Sequence, residues 1–113
     1  MKTTLLLLIV LLTTFSCTRE KVTPIDQQCN ATISFSNDVM PILEANCISC
    51  HQPGNTSGGY DLSSYSVIAA NANAIVGSMK ASSYLLMPLG GPALPDSTIQ
   101  KISCWIEQGK QDN

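Results

Sequence analysis

Cys47 and Cys50 stand two residues apart, and His51 follows directly as the single histidine of a 113-residue chain. Residues of these types at this spacing admit three chemistries. The cysteines could supply half of a structural zinc site, cycle as a redox disulfide, or anchor a haem whose iron the imidazole binds. The histidine is idle in the redox reading and indispensable in the haem reading.

Zinc wants four ligands, commonly two knuckles of paired cysteine or histidine, and no second pair exists here. Cys29 and Cys104 are lone residues far away in sequence. A thioredoxin-like pair heads a helix packed on a sheet. Here Val39, Ile42 and Leu43 recur at helical spacing before the pair, and no βαβ pattern is present. The haem reading uses every residue: two thioethers from Cys47 and Cys50, with His51 as the proximal iron ligand. The plain alternative is a chance match in a loop. The expected cofactor is a covalent haem c.

The N-terminus bears on that expectation. Lys2 is followed by the apolar run Leu5 to Leu12, too short to span a bilayer and suited to a secretory signal. Thr14-Phe15-Ser16-Cys17 resembles a bacterial lipoprotein signal, in which the cysteine becomes the lipidated first residue; an ordinary signal with a chance cysteine is the alternative. Residues 1–16 are therefore expected to be signal peptide, 17–34 a tether and N-terminal tail, and 35–113 the domain. Removing 16 of 113 residues leaves 97. Loss of Lys2 takes six basic residues to five against eight acidic, a net charge of −3. That balance, without a basic run, points away from nucleic acid.

Around the motif, the elements read as helices. Ser36, Asn37 and Asp38 suit a helix start, and Pro41 must sit in a first turn or mark a kink. Residues 52–59 are turn chemistry, and a short helix is expected over 61–70, opening at Ser63 or Ser64. The stretch 71–83 reads as loop with a helical turn. Three prolines and two glycines forbid a regular element over 87–95. A last helix opens at Asp96 or Ser97, buries Ile99, Ile102, Trp105 and Ile106, and stops at Gly109. Only Ala31 to Phe35 hints at a strand. The expected class is all-α, three to four short helices with long loops, and so thin a core asks for staples or a cofactor.

Taken together, these residues resemble a small class I cytochrome c, and more closely the lipoprotein cytochromes of Bacteroidota-type bacteria. The resemblance spans about residues 29–113. It rests on Asp38 to Leu43 before the haem motif, Ser57 to Leu62, the Met87-Pro88 loop, and Trp105-Ile106 with Gly109 near the end. It implies the class I fold around a covalent haem. It also implies a distal iron ligand, usually methionine, and Met87 is the expected one. Met87 lies 36 residues after His51, enough chain to reach the far face of a haem, and Pro88 restricts its backbone. Met79, and an open or water-bound iron, are the alternatives. Leu62, Leu86, Leu89 and Trp105 are candidates for the haem pocket or for plain core.

The function implied is a periplasmic, membrane-tethered electron carrier whose partners are redox proteins of a respiratory chain, with no small-molecule substrate. The alternative is a haem sensor or a small peroxidase-like enzyme, which needs an open or displaceable sixth position. With the histidine spent, no distal acid–base group is evident.

Two cysteines remain. With Cys17 assigned to lipid and Cys47 and Cys50 to haem, Cys29 and Cys104 are expected to pair as a disulfide in an oxidising compartment. On a helical wheel Cys104 points away from the Ile99, Ile102 and Ile106 face, toward whatever lies outside the last helix. Two separate thiols are the alternative.

Overall fold

Ser34 opens the first helical segment. Its hydroxyl accepts from Asn37 N–H at 3.2 Å, while its own N–H donates to Asp38 Oδ2 at 3.0 Å, a reciprocal cap. The start thus falls just upstream of the expected Ser36 to Asp38. In the computed structural model, which describes residues 29–113, this cap leads into a π-helical turn, Phe35–Val39, and then α1, Met40–Asn46. Pro41 accounts for the unusual opening. It has no N–H to donate four residues back, and the ladder there runs one residue wider, with Met40 N–H bonded to Phe35 O. The lipidation expected at Cys17 and the signal peptide lie outside the described residues.

Past α1 come a minimal hairpin, β1 (His51–Gln52) and β2 (Asn55–Thr56), and a 3-10 turn, Ser57–Gly59. The hairpin pairs His51 with Thr56 and Gln52 with Asn55. Pro53 followed by Gly54 at φ 84° is the sequence of a type II turn, which needs positive φ at its third residue. Two helices complete the fold, α2 (Tyr65–Met79) and α3 (Asp96–Glu107). The protein is therefore mostly helical.

Two expectations are corrected. The stretch 71–83 is not loop with a helical turn, because α2 continues through Met79. Its Asn71 is accommodated by donating from Nδ2 to Val67 O, and Ala72 and Met79 bury 99% and 98% of their surface in the core. Packing overrides weak local propensity here. Ala31 to Phe35 is not a strand either: its extended backbone is served by Gln108, as described below, and by Asn113 Oδ1, which accepts from Phe35 N–H at 2.8 Å.

The core gathers Phe35, Val39 and Leu43 from the first segment, Leu62, Ile68, Ala72 and Met79 from the middle, and Ile99, Ile102 and Trp105 from α3. Trp105 is fully buried, with Phe35 at 5.5 Å and Tyr65 at 6.4 Å between ring centroids, and its Nε1–H donates to Gln111 O. α3 ends as expected at Gly109. This glycine takes φ 92°, its N–H donates to Ile106 O, and Lys110 N–H donates to Trp105 O, the paired bonds of a Schellman cap.

Cys29 and Cys104 are joined by a disulfide, Cα–Cα 5.2 Å, across 75 residues of sequence. Residues 29–33, read from sequence as part of the tether, lie along α3. Gln108 holds them there, its Nε2–H donating to Ala31 O at 2.7 Å and its Oε1 accepting from Ile33 N–H at 2.9 Å. Cys104 is buried on the side of α3 that this segment covers.

Candidate functional site: the Cys47–His51 turn

α1 delivers Cys47 at its C-terminal end, where Leu43 O accepts from both Cys47 N–H (2.8 Å) and Ile48 N–H (3.0 Å). One further turn follows, closed by Cys50 N–H and His51 N–H on Cys47 O at 3.1 and 3.0 Å. The turn brings Cys47, Cys50 and His51 into one short, hydrogen-bonded unit. Asn55 Nδ2–H donates to Ser49 O at 3.2 Å and ties that turn to the hairpin behind it.

Neither Cys47 nor Cys50 is in a disulfide. Cys47 is half-buried and packs against the core, whereas Cys50 is exposed. Burial pushes the Cys47 thiol up to about 11. A redox-active cysteine needs the opposite, a thiolate favoured near neutral pH. Among the described residues no three His, Cys, Asp or Glu side chains cluster as metal ligands, so a zinc donor set is not assembled.

His51 is held from several directions. Its backbone pairs with Thr56, and its carbonyl accepts from Leu62 N–H at 2.8 Å. On the ring, Nδ1 lies 3.3 Å from Tyr60 O. A carbonyl can only accept, so the bond requires the proton on Nδ1 and leaves the Nε2 lone pair free for a metal. Sequence reasoning passed over Tyr60, because a backbone carbonyl carries no residue-type signal.

Met87 stands on another element, the loop after α2, half-buried, with its N–H donating to Ser78 O at 3.0 Å. Of the three methionines among the described residues, Met79 is buried in the core and Met40 packs against it. Met87 belongs to neither set. The peptide bond between Met87 and Pro88 is cis.

Of the four residues read as haem-pocket candidates, Trp105 and Leu62 are core residues. Leu86 is half-buried and Leu89 is 71% exposed. Among the described residues the exposed large apolar side chains are Tyr60, Tyr84, Leu85 and Leu89, the first beside the His51 hairpin and the others in the Met87 loop. Clefts of about 290 and 170 Å³ run along residues 29–33 and α3, and no residue of Cys47–His51 lines them. Surface able to cover a flat apolar group thus lies on the segments that carry His51 and Met87.

No protein-family model, no curated protein and no solved structure matches the chain.

Proposed function

We propose that the protein is a class I c-type cytochrome, an electron carrier with haem c bound through Cys47 and Cys50 and ligated by His51 and Met87. The observation that carries this reading is the His51 ring. Its Nδ1 is committed to Tyr60 O, nine residues on, while the ring belongs to the turn that presents two cysteines outside any disulfide. Further support comes from the place of Met87 outside the core cluster and from the exposed apolar side chains of its loop.

When bound, haem c supplies a ferric/ferrous couple that accepts and passes one electron at a time. Cys47 and Cys50 would each add a sulfur to a vinyl group, and the helical turn keeps the two at a constant separation. His51 would hold the iron through Nε2, with its ring oriented by Tyr60 O so that ligation costs little ordering entropy. Met87 would also hold the iron, through a soft sulfur that favours the ferrous state and raises the potential. Lipidation at Cys17 would hold the carrier at a periplasmic membrane surface, near respiratory redox partners.

The test is the mass of the chain produced with a cytochrome c assembly system in an exporting host. The expected mass exceeds the polypeptide by one haem that resists extraction into acidic butanone. A haem-free mass, or complete extraction, would refute the reading.

A further inference from the structure

We propose that Gly77 and Tyr84 form a latch that keeps the Met87 loop in position, which makes both of them positioning residues for the distal ligand. The inference rests on the haem reading above.

Gly77 lies inside α2 and is buried. Its backbone is helical, so nothing in its own conformation calls for glycine, and glycine inside a helix costs about 1 kcal/mol relative to alanine. The ring of Tyr84 supplies the reason. A β-carbon at Gly77 would stand 2.6 Å from Tyr84 Cδ2 and 2.8 Å from Cε2, closer than carbon atoms approach. The tyrosine ring rests directly on the bare helix backbone.

The surrounding bonds converge on the same turn. α2 ends in a Schellman cap, with Ser82 N–H on Gly77 O at 2.9 Å and Ala81 N–H on Ser78 O at 3.3 Å. The chain then folds back, puts the Tyr84 ring over Gly77, and three residues later donates Met87 N–H to Ser78 O at 3.0 Å. Two consecutive helix residues thereby hold both ends of the segment that carries Met87. Burial holds this segment only in part, because Leu86, Met87 and Pro88 are half-buried while Leu85 and Leu89 are 65% and 71% exposed. The Tyr84 contact therefore sets how much of the protein holds Met87 where its sulfur can serve. A competing ligand reads that fraction directly.

The experiment uses the haem-loaded protein as wild type, Tyr84→Ala, Tyr84→Phe, Gly77→Ala and the Gly77→Ala/Tyr84→Ala double variant. Imidazole titration measures displacement of Met87, the far-red sulfur-to-iron band of the ferric protein reports its ligation, and amide exchange reports the Met87 N–H. Tyr84→Ala and Gly77→Ala should each raise apparent imidazole affinity by about tenfold and speed exchange at Met87. Tyr84→Phe should behave as wild type, since the ring and not the hydroxyl makes the contact. The double variant should be no worse than either single one, because the same contact is removed. Tyr84 is half exposed, so its replacement carries the test even where Gly77→Ala folds poorly. Unchanged imidazole affinity and exchange in Tyr84→Ala, or additive effects in the double variant, overturn the latch while leaving the haem reading intact. A wild type without the far-red band, whose imidazole binding ignores Met87→Ala, overturns both.

Discussion

His51 can offer Nε2 only while Nδ1 keeps its proton, and the Tyr60 carbonyl at 3.3 Å stabilises that tautomer. The ring is thus oriented by a main-chain atom nine residues away, one that no side-chain substitution removes directly. Met87 is the more accessible target. Met87→Ala should abolish the far-red band of the ferric protein, lower the reduction potential, and open the iron to cyanide or carbon monoxide. Retention of the band in Met87→Ala, with loss in Met79→Ala, would move the ligand to Met79. The two cysteines should also differ in the chain before haem attachment. Alkylation requires thiolate, and burial raises Cys47 to about 11, so Cys47 stays protonated and slow at pH 8 and quickens only as pH climbs toward that value. Peptide mapping after timed iodoacetamide treatment should show exposed Cys50 labelled first. Equal labelling rates at pH 8 would count against the burial seen for Cys47.

At the scale of elements, the helix ends differ in how well their residues suit their backbone. α2 and α3 close with the same pair of Schellman bonds, but Ala81 occupies the left-handed position in one (φ 52°) and Gly109 in the other (φ 92°). A side chain in that region costs roughly 1–2 kcal/mol. Ala81→Gly should therefore stabilise by about 1 kcal/mol, reduced somewhat by the added freedom of the unfolded chain, and Gly109→Ala should destabilise by a similar amount. Urea titration of each variant reads the sign, and destabilisation by Ala81→Gly would contradict the cap. The first helical segment depends on different chemistry. Asp38 accepts from Ser34 N–H and pairs with Lys101 of α3 at 3.2 Å, and these bonds hold its carboxyl below the usual range. The depressed value means this contribution is present above the ordinary carboxylate pKa and fades as pH falls through the folded one.

At the scale of the whole molecule, the covalent staple has the largest reach. The Cys29–Cys104 bond closes a loop with a sequence separation of 75, and in the chain-entropy model such closure stabilises by roughly 4 kcal/mol. Cys29→Ala/Cys104→Ala should lose about that much in urea denaturation, while keeping the haem if the functional reading holds. A loss well under 1 kcal/mol would mean that Gln108 and the packing of residues 29–33 already hold the segment without the bond. The staple also holds Cys29 against α3. Cys17→Ser should release the protein into soluble fractions and abolish palmitate labelling, and a wild type that is wholly soluble with a free amino terminus would contradict the anchor.

Local helix boundaries were legible in the residues alone. The Ser64, Asp96 and Gly109 boundaries follow from capping and helix-stop preferences within a few residues. The Cys29–Cys104 pairing could be argued by elimination, because each of the other cysteines already had an assignment. What depends on distant partners was not legible. α2 runs on through Asn71 and Asn73 because Ala72 and Met79 find a core that local propensity does not describe. Tyr60 acts through a carbonyl that every residue possesses, and Gln108 matters only because residues 29–33 return to it from across the chain. Gly77 falls in the stretch that reads from sequence as loop with a helical turn; the Tyr84 ring lying on it makes it a requirement, and such a contact exists only once the chain has folded back on itself.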